Sequence, residues 1–571
     1  MALPCNIFSP ILRSTTTSIF VTEPKYFAKT NLVRIAILLS PNIPKQCRIN
    51  TINSKPYRLQ EYQLDVVSQV SIIDERVEKI RELVEWRDEE DPMEGLMFVD
   101  AIQRLGVAHH YEKEIEMIME QHYLNKENGI KSLRDVALSF RLLRQRGYHI
   151  SADVFNSFKG KDGKFRDEVE QDIWGLVELY EATQLSFEGE DILEEAQDFS
   201  SQILQQHLAR DPKFKGSNII QMRLRYPYHT TITNFTRDVG GMNYRWITTL
   251  TELSEQQFLI GRDVHKDELL QISKWWSGLN FKRDLKLVRN QPVKWYTWSM
   301  AMLADDNTLS AERVQLTKSI VFIYLIDDVF DLYGTPQDLT VFTEAVNKWE
   351  YAAIDTLPDY MKLCYKSLLD ITNQIGSSIS EKHGYNPINS LKQTWVSLCN
   401  AFLVEAQWLA SRDLPRAEEY LANGKVSSGV HVVLVHLFFL LGLDAANVDD
   451  ISSLVSCVAA ILRLWDDLGS AQDEHQEGRD GSYIECYMRD NPESTFEQAR
   501  DHVLDRIGME WKRLNEECFN LSNPSSSALQ FKEAALNMAR MISLMYNYDK
   551  NQAFPALEKY VQIMLPNLIQ S

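Results

Sequence analysis

The sequence predicts an all-α protein of two helical domains, and three observations carry that expectation. From about Tyr57 onward apolar residues recur at three- and four-residue steps with charges between them. Strand signals are nearly absent: there are few β-branched alternations and no Asn-Gly hairpins. With 571 residues, 44% hydrophobic and 25% charged, the chain has the composition of a globular protein and the length for two or three domains with large cores.

Residues 1–54 stand apart. They hold six Lys/Arg and one acid, Glu23, a net +5 in a chain whose total is −20, which leaves −25 for the remainder. The run Ser14, Thr15, Thr16, Thr17, Ser18 and several prolines complete a basic, hydroxyl-rich, acid-poor segment. That composition describes an organelle transit peptide, the alternative being a disordered tail. It predicts a plastid location, with the cytosol as the alternative. The apolar run 32–39 is too short to cross a bilayer and contains Arg34, and no other stretch approaches 18 apolar residues, so no membrane span is expected. The acidic net charge opposes nucleic-acid binding. Seven scattered cysteines, odd in number and without a CxxC pair, argue for a reducing compartment and against zinc or a disulfide framework.

Helical periodicity is clear over 66–84, 97–105 and 133–147, the last ending in Arg-Gln-Arg-Gly, a basic turn followed by a stop signal. F-K-G-K-D-G-K-F (158–165) reads as a loop. Gly240-Gly241 interrupts the pattern, and aromatic content rises beyond it. A boundary therefore falls between about 240 and 270, giving an N-terminal helical domain over 55–265 and a C-terminal domain over 266–571. The second holds the longest apolar helices, 319–326, 430–441 and 451–464, and a polar linker at 523–527. No short internal repeat is present.

Two acidic clusters, 139 residues apart, mark the chemistry. Asp327, Asp328 and Asp331 follow the apolar run S-I-V-F-I-Y-L-I, and spacings of three and four put their carboxylates on one helix face. Asp466, Ser470 and Glu474, at i, i+4 and i+8, form one stripe on a second helix. Each cluster alone has a plain alternative, a solvated acidic helix face or exit. Together, ionised carboxylates at the edge of a core repel one another and lose hydration unless cations offset the cost. Hard oxygen donors at this density suit Mg²⁺, with phosphates completing its coordination.

D-D-V-F-D and D-D-L-G-S-A-Q-D-E resemble the two metal-binding motifs of class I plant terpene synthases, and the resemblance covers nearly the whole chain. R-L-L-R-Q-R-G-Y-H-I-S-A-D-V-F (141–155) and F-E-G-E-D-I-L-E-E-A (187–196) are similar to that family's N-terminal domain. V-F-T-E-A-V-N-K-W-E (341–350) and Y-I-E-C-Y-M-R-D (483–490) are similar to its C-terminal domain. The resemblance implies an α-barrel-like N-terminal domain and a C-terminal helical bundle. It also implies three Mg²⁺ ions, with Mn²⁺ as an alternative, a prenyl diphosphate substrate and a monomer. Carried onto this sequence, Asp327, Asp328 and Asp331 become the first metal cluster, and Asp466, Ser470 and Glu474 the ligands of the third ion. Arg463 becomes a diphosphate contact, as does Arg289, and Asp327 and Asp466 lie at the substrate. Ser427-Ser428-Gly429 sits at the expected helix break, Trp298 matches a pocket aromatic, and Tyr546 with Asp549 matches a lid pair.

Two departures bear on the product. The family's Arg-x-Arg pair reads Arg289-Asn290-Gln291 here, and its early tandem-arginine motif followed by tryptophan is missing; the first tryptophan is Trp86. Both departures resemble the linalool and nerolidol synthases, which release acyclic tertiary alcohols. Rival expectations are a cyclic mono- or sesquiterpene synthase of the same family, a chain-elongating synthase with two DDxxD motifs, and a non-catalytic helical scaffold.

Overall fold

The computed structural model describes residues 72–84, 92–124, 132–235, 237–281, 285–304, 306–411, 414–474, 482–519, 525–546 and 555–566. Among these no β-strand occurs. The loop expected at 158–165 closes on itself through a single antiparallel bridge, Lys159 to Phe165, with Gly163 at φ 79° in its turn. The chain divides into two compact units, one within Pro41–Val264 and one formed by His265–Glu517 with Asn523–Ser571.

The first unit holds α1 (72–83), α2 (Pro92–Arg104), α3 (Glu112–Leu124), α4 (Leu133–Gln145), α5 (Ile173–Thr183), α6 (Asp191–Arg210) and α7 (Ser217–Arg225). Local chemistry sets their ends. The Ser132 side chain accepts from the Asp135 N–H while the Asp135 carboxylate accepts from the Ser132 N–H, a capping box that starts α4. Gly147, at φ 80°, takes the left-handed conformation just past its end. The basic last turn expected there is not a solvated counter-charge to the helix dipole. Arg144 is buried and pairs with Glu190 at 2.6 Å and with the carbonyls of Leu185 and Ile150. Helix α4 is buried on more than one side, with Leu138, Phe140 and Leu142 all in the core. Cutting such a leucine to alanine costs about 2–5 kcal/mol. A buried ionic cluster crosses this core: Asp100 takes Arg104 at 2.9 Å and Arg141 at 2.5 Å, and Glu178 takes Arg223 at 2.7 Å.

The division between units falls inside α8 (Ile247–Leu279). Beyond it come α9 (Pro292–Met302), α10 (Ser310–Asp328), α11 (Pro336–Lys348), α12 (Asp359–His383), α13 (Ile388–Ser411), α14 (Ala417–Ser427) and α15 (Val430–Leu440). The last five are α16 (Ser452–Glu474), α17 (Tyr483–Asp490), α18 (Phe496–Phe519), α19 (Ser526–Tyr546) and α20 (Pro555–Met564). The expected linker at 523–527 is partly helical, since α19 begins at Ser526. Helix α10 packs on α9, α12 and α15, and α16 packs on α14, α15 and α19. These contacts bury the apolar runs almost completely: Ile320 through Ile326 are each no more than 1% exposed. By length and composition Ala417–Leu440 could cross a membrane, contrary to the expectation that no such stretch exists. Most of it is buried, and it is broken between α14 and α15, so it serves here as a core element. The five described cysteines are buried and unbridged; Cys5 and Cys47 lie outside the described residues.

Candidate active site

Helix α10 delivers Asp327 and Asp328 at its C-terminal end, 5% and 1% exposed. The α-helix stops there and one π-helical turn, Val329–Tyr333, follows. Residues 327 and 331 lie roughly 40° apart around the axis of an α-helix, and the wider π-turn also returns close to the same face after four residues. Asp331 stands exposed on the rim, near enough to the buried Asp327 for the two charges to interact. Gly334 ends the turn, because a β-carbon there would meet Leu339 Cδ2 at 2.1 Å. The Thr335–Asp338 capping box then starts α11.

Arg289 spans the first cluster. Its Nη2 donates to Asp327 Oδ2 at 2.7 Å, its backbone N–H to Asp328 Oδ2 at 2.9 Å, and its Nε lies 2.5 Å from Asp328 Oδ1. Burial disfavours the guanidinium charge, but Asp328 and Asp327 outweigh it and push the group above its ordinary range. Among the described residues no three His, Cys, Asp or Glu side chains converge tightly enough to hold an ion; Asp327 and Asp328 are both paired with Arg289.

On α16, Asp466 is fully buried. Ser470 and Glu474 fall on the last turns of the same helix, but their side chains lie outside the described residues. Adjacent Asp467 points elsewhere: its carboxylate accepts from the Tyr420 hydroxyl and the Tyr483 N–H, both at 3.0 Å, and lies 3.2 Å from Arg463 Nε. Arg463 also donates from Nε to the Tyr420 hydroxyl at 2.9 Å, stacks over that ring at 4.9 Å, and reaches Glu405 at 4.0 Å. Gly424 makes room for it, since a β-carbon would sit 2.9 Å from Arg463 Cγ. Glu405 in turn accepts from Ser427 Oγ at 2.6 Å and Asn423 Nδ2 at 3.3 Å. The helix break is where the sequence places it: α14 ends at Ser427, Gly429 turns left-handed at φ 72°, and α15 begins.

The donor set fits Mg²⁺ by its chemistry. Burial, then the neighbouring acids, hold Asp466 well above the usual carboxylate range, with Asp467 and Asp327 among the causes and Arg463 opposing. Asp331 is also held above the usual carboxylate range, by the surrounding protein and then by Asp327, although it stands exposed at the rim. Burial raises Asp327 and pushes Asp328 up to about 6, in each case against Arg289. Four oxygen-donor groups that resist ionisation together are short of positive charge, which hard divalent cations supply.

Of the α9 aromatics, Trp298 is fully buried and donates its indole N–H to the Tyr324 hydroxyl at 3.2 Å, one turn before Asp327 and Asp328. Tyr296 instead joins His265 at 2.8 Å and Glu268 at 2.7 Å, and Trp295 meets Trp276 edge-on at 4.9 Å. Tyr546 is buried at the end of α19, and Asp549 lies outside the described residues. Sequence reasoning missed Lys294, Glu405, Tyr420 and Asp467. Asp467 could have been found from its place in D-D-L-G; the others become neighbours of the site only through tertiary packing.

The paired acidic helix ends inside an all-α bundle define a metal-dependent enzyme for diphosphate esters. The sequence matches the description "Terpene synthase family, metal binding domain" over 277–513 and "Terpene synthase, N-terminal domain" over 49–223. It is 52% identical to a chloroplastic tricyclene synthase of Antirrhinum majus over 523 residues, 89% of each chain. It is 44% identical to an (E)-nerolidol synthase of Cannabis sativa over 510 residues, 86% of this chain and 91% of that one. The fold superposes on the isoprene synthase of grey poplar (Populus x canescens), solved with three Mg²⁺ ions and dimethylallyl-S-thiolodiphosphate. The TM-score is 0.79 at 29% identity, covering 87% of this chain and 97% of that one. The chain belongs to the terpene synthase family and is a Mg²⁺-dependent lyase.

Proposed function

We propose that this enzyme ionises geranyl or farnesyl diphosphate and lets water capture the open-chain cation, giving linalool or nerolidol. The observation that carries the acyclic product is Gln291. This neutral residue stands at the N-cap of α9, two positions after Arg289, where the family's pair has its second arginine. Arg463, held by Tyr420, Asp467 and Glu405, stands ready as a fixed cation for diphosphate. Arg289 supplies a second cation beside Asp327 and Asp328. Asp327, Asp328, Asp331, Asp466, Ser470 and Glu474 would hold three Mg²⁺ ions, which when bound neutralise charge on the leaving oxygen. The break at Ser428–Gly429 directs backbone dipoles of α15 toward the departing group. The allylic C–O bond breaks with its electron pair leaving on diphosphate. Water adds at the third carbon and its proton passes to solvent or to the released diphosphate. Trp298 lies on the side of α9 nearest this chemistry and offers an aromatic face to the cation; Tyr546 and Asp549 belong to the closing lid.

Fewer forked cations weaken retention of the released diphosphate, so re-addition and chain rotation lose to water capture. The second reading, a cyclic product, is favoured by the similarity to a tricyclene synthase. Incubation with geranyl and farnesyl diphosphate separately, with chiral product analysis, decides between them. Mostly linalool and nerolidol supports the acyclic reading; limonene, terpineol or a cyclic sesquiterpene as the main product rejects it. Residues 1–54 act as a plastid transit peptide in this proposal, and the relatives named chloroplastic support it. That segment lies outside the described residues. Uniform cytosolic fluorescence of a fusion of residues 1–54 to a reporter would reject targeting. The active unit is a monomer of two helical domains, 55–265 and 266–571.

A further inference from the structure

We propose that Lys294 is a third diphosphate-binding cation, set between the two acidic clusters. This rests on the ionisation reading above. Pro292 occupies the first turn of α9, where its fixed φ suits a helix start, so Lys294 is already helical. Residues four apart share a helix face, which places Lys294 on the face marked by Trp298. That face turns toward α10, because Trp298 bonds Tyr324. The two helices run antiparallel. Arg289, just before α9, meets Asp327 and Asp328; Trp298 meets Tyr324; Ser299 meets Thr317. Lys294 therefore lies at a level between Asp328 and Tyr324. Helices α9 and α16 both pack on α19, so the helices that carry Lys294 and Asp466 share a neighbour.

The charges agree with this placement. Lys294 is partly buried, and burial followed by the like charge of Arg289 pulls its ammonium down to about 8, with Asp466 acting the other way. A lysine whose only role was packing would turn its ammonium to water. Here the ammonium feels the charges of both Arg289 and Asp466. A polyanion arriving between the clusters would meet Arg289, Lys294 and Arg463 together. Lys294 thus offsets the charge lost at Gln291, but it is a compact point charge rather than a fork. It neutralises diphosphate without fixing the orientation of two oxygens, which keeps it compatible with an acyclic product.

The test uses the full chain with Lys294→Gln and Lys294→Arg, and titrates inorganic pyrophosphate calorimetrically in the presence of Mg²⁺. The Gln variant should bind pyrophosphate about tenfold more weakly, with a matching rise in KM for geranyl diphosphate, and the Arg variant should recover most of that loss. Wild-type affinity in the Gln variant overturns the proposal while leaving the ionisation reading intact. So does an equal loss in both variants accompanied by lower melting temperatures, which marks a packing role. Wild-type protein that neither binds pyrophosphate nor ionises either substrate overturns both.

Discussion

Asp466 and Asp467 are neighbours with different work, and the difference comes from about 100° of helix rotation. Asp467 is engaged by Tyr420, Tyr483 and Arg463, whereas Asp466 shares its field with Asp327. Asp466→Asn should lower turnover at least about 100-fold, as loss of a preorganised electrostatic group does. Its melting temperature should stay level or rise, because a strained buried acid is gone. Asp467→Asn should instead cost stability, about 3–5 kcal/mol for a broken buried pair. Steady-state kinetics and thermal melts on both variants check this, and the reverse pattern contradicts it. The helix that carries 466, 470 and 474 was legible in the sequence, because apolar periodicity is a local property. Tyr420 was not, since it reaches Asp467 across 47 positions.

Helix boundaries show the same division between local and distant causes. Starts at Ser132 and Thr335 are written as a hydroxyl followed three residues later by an acid. The Ser-Ser-Gly break before α15 was also visible. The π-turn at Val329–Tyr333 was not, because a single π-turn inside a helical run carries no sequence signal of its own. The close approach of α14 to α16 gives a second prediction. Gly424→Ala would drive a β-carbon to 2.9 Å from Arg463 Cγ, well back from the flexible tip of that side chain. Arg463 must move, and kcat/KM should fall about tenfold while stability changes by less than about 2 kcal/mol. Unchanged kinetics would show that Arg463 needs no such fixed seat.

Two helical units, an acidic net charge and a metal site at paired helix ends make a protein whose stability should depend on pH. His265 is 1% exposed, with burial and then Arg313 pulling it down to about 3; His436 is fully buried, with burial pulling it down to about 4. An unfolded histidine titrates near about 6.5. Below that pH the unfolded chain binds protons that the folded chain does not, so stability falls as pH drops, by about 2 kcal/mol per histidine at pH 5. His436→Leu should flatten the difference between denaturant melts at pH 7 and pH 5 by that amount, and an unaltered difference would contradict it. The all-α class was readable from periodicity beyond about Tyr57, whereas the seat of Arg463 beside Gly424 depends on a contact between helices distant in sequence. The most direct measurement of the central claim is pyrophosphate release from geranyl diphosphate by the full chain, with Mg²⁺ and with a chelator. Release with Mg²⁺, none with the chelator, and recovery when Mg²⁺ is restored is the predicted result. Equal release in the chelator would contradict the assignment of the two acidic clusters to metal.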